Sequence, residues 1–204
     1  MMYRKDRKDE FYTRKAHQEG YPARSVYKLK EIDEKFNLVK KGDFVLDLGC
    51  SPGSWLMYLS AKVGDKGRVV GVDIIEPTIP ERENIFFIKK DVMVLEIKEL
   101  EVFCQKYQVV VSDLAPATSG IRLVDTGRSL ILSQKALEIA SMVLAEGGNF
   151  LCKIFEGKGS HEFFKEVSQS FKTAKIFRPP AVFKGSREFY VVAKGFMVNP
   201  VRNF

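Results

Sequence analysis

Four acidic residues, Asp47, Asp73, Asp91 and Asp113, each stand close behind a short apolar run, and the first opens the turn Asp47-Leu48-Gly49-Cys50-Ser51-Pro52-Gly53-Ser54-Trp55. Glycines at 49 and 53 let a backbone turn tightly and approach a ligand closely. A helix beginning at Ser54 would aim its first amide groups at that ligand. The glycine spacing is not the G-x-G-x-x-G of dinucleotide sites, yet Asp73 falls where an acid contacting a ribose is expected. The acid therefore supports a ribose-bearing cofactor, and the glycine spacing disfavours a nicotinamide dinucleotide. Taken singly, Gly49 and Gly53 make a turn and each aspartate is a solvated strand end. Four carboxylates on successive strand ends are what a cofactor with ribose hydroxyls, an adenine amine and a cationic amino acid would require.

Those acids need strands to carry them to one edge. Apolar runs at 44–48, 68–72, 85–88, 108–112 and 149–155 read as strands, joined by 175–178 and 189–194. Helical periodicity recurs at 25–36, 54–63, 94–106, 128–144 and 161–171, with Val26, Tyr27, Leu29, Ile32 and Phe36 forming the apolar stripe of the first. Alternating strands and helices predict an α/β fold built from right-handed crossovers: a mostly parallel seven-stranded sheet with helices on both faces. Ligands in such folds bind outside the carboxyl ends of the strands. The last two strands are joined by a loop holding Pro179-Pro180 and Lys184-Gly185, too short for a crossover helix, so the last strand is expected to be antiparallel.

The chain has 204 residues, enough for one domain with short appendages. A hydrophobic share of 45% with 29% charged residues excludes disordered, collagen-like and coiled-coil classes. Net charge is +7, and its distribution is uneven: residues 1–41 carry 12 basic and 7 acidic side chains, 42–152 carry 11 and 15, and 153–204 carry 10 and 4. Two basic flanks bracket an acidic middle, and they would make one positive surface if the chain ends meet. The first twenty residues are charge-dense, and Gly20 and Pro22 close the stretch. Residues 1–22 are therefore expected to be a mobile or surface-lying basic arm, with order beginning near Arg24 in a single domain over 23–204. Cys50, Cys104 and Cys152 form neither a CxxC pair nor a disulfide framework, and no apolar run approaches a membrane span or signal peptide. A reducing, cytoplasmic location is expected. His17 and His161 lack metal-ligand partners at useful spacing, so no metal site is expected.

At the level of whole motifs the sequence resembles the FtsJ/RrmJ family of S-adenosylmethionine-dependent ribosomal RNA 2'-O-methyltransferases. The resemblance runs from Arg24 to Gly195 and is carried by the 47–55 turn, Ser112-Asp113-Leu114-Ala115-Pro116-Ala117-Thr118-Ser119-Gly120, Lys153-Ile154-Phe155-Glu156-Gly157 and Ser186-Arg187-Glu188-Phe189-Tyr190. The first of these is shared with methyltransferases at large; the other three, in this order, are specific to the family. Cys50 and Ser51 stand where alanine is common, Ser54 where glycine is, and Glu156 where glutamine is. None of these departures removes a group the reaction needs. The resemblance implies a Rossmann-like class I methyltransferase and a catalytic tetrad of Lys28, Asp113, Lys153 and Glu188. It further implies S-adenosyl-L-methionine as cofactor, with Asp47, Gly49, Pro52, Gly53, Trp55, Asp73, Asp91 and Asp113 in its site. Ribosomal RNA or the large ribosomal subunit is the implied partner, with a uridine of 23S-type RNA as the implied target; neither membrane nor DNA is expected.

The chemistry sets demands of its own. A ribose 2'-hydroxyl is a poor nucleophile until it loses its proton, so a base must lie within hydrogen-bond reach of an oxygen aligned with carbon and sulfur. A free lysine, with a pKa of about 10.4, is a weak candidate near neutrality unless its neutral form is favoured. Desolvation, a sulfonium and a second cation all act in that direction. Lys153 is assigned as proton acceptor and Lys28 as the second cation, while Asp113 and Glu188 orient them. Each has a plainer reading: Lys28 as a solvated helix residue, Glu188 beside Arg187 as a surface ion pair, Trp55 as core. Lys153, between Cys152 and Ile154 in an apolar strand, sits where lysine is uncommon. Two other functions stand beside this one: a tRNA anticodon-loop 2'-O-methyltransferase, and a non-catalytic RNA-binding protein of the same fold. Presence of the whole tetrad opposes the second.

Overall fold

The computed structural model describes residues 4–183 and 185–198. Lys184 and the side chains of Arg4, Lys5, Arg7 and Lys8, which belong to the basic flanks, lie outside the described residues, as do residues 1–3 and 199–204. The elements run α1 (Arg4–Gln18), α2 (Val26–Phe36), β1 (Phe44–Leu48), α3 (Ser54–Val63), β2 (Arg68–Asp73), β3 (Ile85–Lys89), α4 (Ile97–Glu101), β4 (Tyr107–Ser112), α5 (Arg122–Val143), β5 (Leu144–Phe155), α6 (Ser160–Ser170), β6 (Phe171–Phe177) and β7 (Glu188–Phe196).

Seven strands form one sheet in the order β3-β2-β1-β4-β5-β7-β6. Strands β1 to β5 pair in parallel, and β7 runs antiparallel between β5 and β6. Strand order reverses between β1 and β4, whose carboxyl ends lie side by side with Leu48 opposite Ser112. Side-chain alternation divides the sheet into two cores. Leu46, Leu48, Val110, Phe150 and Val191 pack with Leu137, Ile139 and Phe163 of α5 and α6. On the other face Val45, Val109, Val111, Leu151 and Val192 pack with Leu29 and Ile32 of α2 and Leu56 and Leu59 of α3. Among the described residues no helix is long and apolar enough to cross a membrane.

Several elements depart from the sequence reading. The first twenty residues contain helix α1, so order begins well before Arg24. Ala16 of α1 is fully buried with Val26 and Tyr27 of α2, and Tyr12 and Tyr21 pack around them, an apolar anchor easily overlooked in a charged stretch. In place of one helix over 94–106 there is a 3-10 turn at Val92–Val94 and the short α4, which a capping box between Glu96 and Glu99 begins. Val102 beyond it is 80% exposed, so the stretch has little apolar face with which to continue. Strand β5 starts at Leu144 rather than near Asn149: Gly147, at φ 79°, and a register shift against β4 let the strand run through Gly147-Gly148.

Candidate active site

The alternation that sorts the core also gathers the chemistry. Asp47 shares the α2 face of β1 with Val45, and Lys153 shares that face of β5 with Leu151. Asp113 continues the odd-numbered positions of β4 just past its end, and its N–H donates to the Leu48 carbonyl across the strand reversal (3.2 Å). On β7, Glu188 lies opposite Phe155 and Tyr190 opposite Lys153. Lys28 enters from above on α2.

Two ion pairs form there. Lys153 Nζ stands 3.0 Å from Asp113 Oδ1 and donates to the Asp113 backbone carbonyl at 2.5 Å; the two side chains are only 6% and 18% exposed. Lys28 Nζ stands 2.5 Å from Glu188 Oε1, with 15% exposure on each side. Tyr190, fully buried, donates from its hydroxyl to Asp113 Oδ1 at 2.8 Å. Burial alone would raise the Asp113 carboxyl. The ammonium groups of Lys153 and Lys28, with hydrogen bonds from Lys153 and Tyr190, outweigh it and hold the group below its ordinary value. Glu188 and Tyr190, two residues apart on one face of β7, bring the two pairs together: one meets Lys28 and the other Asp113. Sequence reasoning gave Tyr190 no role, although it lies in the 186–190 motif; a tyrosine on the charged face of a strand, two residues after Glu188, was the available signal.

On the neighbouring strand ends the acids have distinct surroundings. Asp47 is fully buried, and neither carboxylate oxygen has a hydrogen-bond partner. Burial first, then the negative charges of Asp113 and Asp73, push its carboxyl well above the usual range. Asp73 accepts from Ser51 N–H and Ile75 N–H, both at 2.9 Å, tying the glycine turn to the end of β2. Asp91, exposed past β3, accepts from Met93 N–H at 2.9 Å. Three of the four acids thus interact, and the fourth stands two strands out from β1 along the same edge.

At the turn, Gly49 (φ 82°) and Gly53 (φ 110°) both need conformations that other residues avoid. The space each leaves is used by protein: a side chain at 49 would meet Leu114, and one at 53 would strike Ile79. Pro52 is exposed, and its carbonyl accepts from Thr78 N–H at 3.1 Å. Segment 77–79 therefore closes over the turn. Trp55 is 3% exposed, donates from Nε1 to the Ser25 carbonyl and packs against Tyr190, which is the core role its plainer reading held open.

The basic flanks meet beside this cluster. Glu31 of α2 accepts from Tyr12 of α1 at 3.3 Å and from the Ala181 N–H at 2.8 Å, so α1 and the loop before β7 join on the helix that carries Lys28. A family model described as FtsJ-like methyltransferase matches residues 21–196, every position of the cluster included. The chain belongs to the FtsJ-like methyltransferase family. It is 46% identical over 181 residues to the ribosomal RNA large subunit methyltransferase E of Desulfatibacillum aliphaticivorans, covering 89% of this chain and 87% of that protein. Identity is 43% over 203 residues to the protein of the same name from Methanothrix thermoacetophila, with 98% and 77% covered. The structure of a protein assigned as a ribosomal RNA methyltransferase from Plasmodium falciparum matches with a TM-score of 0.77 at 26% identity, covering 88% of this chain and all of that one. The fold is that of an FtsJ-like methyltransferase, and the chain is a methyl-transferring enzyme.

Proposed function

We propose that this chain methylates the 2'-hydroxyl of one ribose in large-subunit ribosomal RNA, with S-adenosyl-L-methionine as methyl donor. The observation that carries the reading is the buried Lys153 ammonium, gripped by both the carboxylate and the carbonyl of Asp113 and flanked by the Lys28–Glu188 pair. The cofactor supplies an electrophilic methyl on a sulfonium, so no metal is required to activate a leaving group. The donor set fits that molecule. Two unpartnered oxygens on Asp47 suit a cationic ligand or a water that it holds, Asp73 suits ribose hydroxyls and Asp91 an exocyclic amine. The first turn of α3 behind Gly53 suits an amino-acid carboxylate.

In this reading Lys153 Nζ, once deprotonated, takes the proton of the hydroxyl as oxygen attacks. Asp113 fixes where that nitrogen points, and Tyr190 fixes Asp113. Lys28, steadied by Glu188, holds the ribose or its phosphate by charge. The substrate assignment leans on the names of the relatives; the joined basic flanks suit any RNA backbone. Three free cysteines suit a reducing cytoplasm.

The test offers unmodified large subunits and unmodified tRNA to the protein with tritiated-methyl donor. Label is expected in large-subunit RNA, and Lys153→Ala is expected to lose transfer about 10²-fold or more while binding the cofactor as before. Label in tRNA alone would move the substrate to the anticodon-loop alternative. Cofactor binding with transfer to neither would leave the non-catalytic reading, and full turnover by the lysine variant would remove Lys153 as base.

A further inference from the structure

Helix α5 carries a polar stripe on the face it turns to the sheet. Asp125 and its neighbour Thr126, then Ser129 and Ser133 about one turn apart along the helix, are 3%, 5%, 1% and 2% exposed. Burying four polar side chains along one helix face is costly unless each has a partner, and each here has one on a different part of the active-site edge. Ser133 Oγ shares its proton between the backbone carbonyls of Ser129, one turn back at 2.8 Å, and Lys153 at 3.0 Å, and Ser129 Oγ accepts from Phe155 N–H at 3.0 Å. Thr126 Oγ1 accepts from Arg187, the neighbour of Glu188, at 3.1 Å. Asp125 accepts from both the N–H and the hydroxyl of Ser119, in the segment that follows Asp113.

The two serines answer a specific need of the sheet. Strand β4 pairs with β5 only as far as Ser112 opposite Cys152. Beyond that point Glu156 N–H still bonds β7 through the Arg187 carbonyl. By strand alternation, Lys153 and Phe155 then turn their backbone groups the other way, toward the side that β4 has vacated. Without another partner, the Lys153 carbonyl would keep only the Cys152 thiol at 3.4 Å and the Phe155 N–H would be unsatisfied, just past the Lys153 side chain in the interior. Ser129 and Ser133 take the place of the missing strand.

We propose that Ser129 and Ser133 are positioning residues for methyl transfer: they replace β4 as hydrogen-bond partners of β5 and so fix the strand end from which Lys153 reaches the substrate. Both are buried and act through the backbone of β5, Ser133 at the Lys153 carbonyl and Ser129 at the Phe155 N–H. The proposal rests on Lys153 being the proton acceptor.

The test compares four full-length proteins: the parent, Ser129→Ala with Ser133→Ala, Ser129→Thr with Ser133→Thr, and Lys153→Ala. Single-turnover and steady-state methylation are measured per molecule competent to bind S-adenosylmethionine. The double alanine variant is expected to lose on the order of tenfold or more in kcat, as misplaced groups do. Its KM for RNA and its cofactor affinity should stay at parental values, and the threonine pair, which keeps both hydroxyls, should recover most of the rate. A parental kcat in the double alanine variant, with Lys153→Ala inactive, would overturn the positioning role and leave the base intact. A loss matched by the fall in cofactor-binding molecules would also overturn it, because the serines would then serve stability alone. An active Lys153→Ala protein would instead remove the reading on which the proposal stands.

Discussion

At the scale of single residues, the site is organised by how each charge is matched. Lys153 and Asp113 neutralise one another in a setting too dry for either alone, and Lys28 and Glu188 do the same beside them. Asp47 is the exception, a buried carboxyl facing two other acids with no donor of its own. Because its folded-state pKa is raised above the ordinary 3.8, the folded protein keeps a proton that the unfolded chain releases. Stability from this group is therefore fullest below that value and declines as pH rises toward its folded-state value. Asp47→Asn keeps the shape without the titration. In the cofactor-free protein, urea midpoints of the variant and parent should diverge in the variant's favour as pH rises from about 5 to about 8; parallel curves would show that Asp47 finds a compensating donor.

Among the elements, α2 matters most, since it carries Lys28 and is met by both basic flanks. Its seat is a buried carboxylate: Asp33 accepts from the N–H groups of Leu38 and Val39 at 2.9 Å and from Tyr58 at 2.7 Å, and pairs with Lys62 at 2.9 Å. Asp33→Ala would strand three donors, while the exposed Lys62 ammonium returns to water, and thermal or urea unfolding should report a loss of about 3 kcal/mol. A change under about 0.5 kcal/mol, the range of ordinary surface substitutions, would contradict this account of the docking. The sheet, its antiparallel β7 and the strand-end acids were legible in the sequence because they follow from period-two patterning and loop length. Helix α1 was not: its burial hangs on Ala16 and Tyr12 in a run otherwise charged. The hydrogen bonds of Ser129 and Ser133 were equally hidden, because a serine reads as polar wherever it stands, and only the end of β4 creates its partner. Convergence of the tetrad came from family motifs; strand parity explains it once the order of strands is known.

For the molecule as a whole, the acidic middle and basic ends of the sequence become an acidic strand edge beside a seam where α1, α2 and the loop before β7 meet. In the proposed function such a layout would separate binding of a cationic cofactor from binding of a polyanion. Neutralising Arg4, Lys5, Arg7, Lys8, Arg14 and Lys15 should weaken RNA binding, lower the log–log salt slope by roughly 0.7–0.9 for each phosphate the arm no longer neutralises, and leave cofactor affinity unchanged. Filter binding across a salt series reads both quantities. An unchanged slope would put the RNA on another face. Where the methyl goes is read directly by alkaline hydrolysis of labelled large-subunit RNA, because a methylated 2'-oxygen cannot attack the adjoining phosphate. Label is expected in alkali-resistant dinucleotides, and label released in mononucleotides, as from a methylated base, would rule out methylation at the 2'-oxygen.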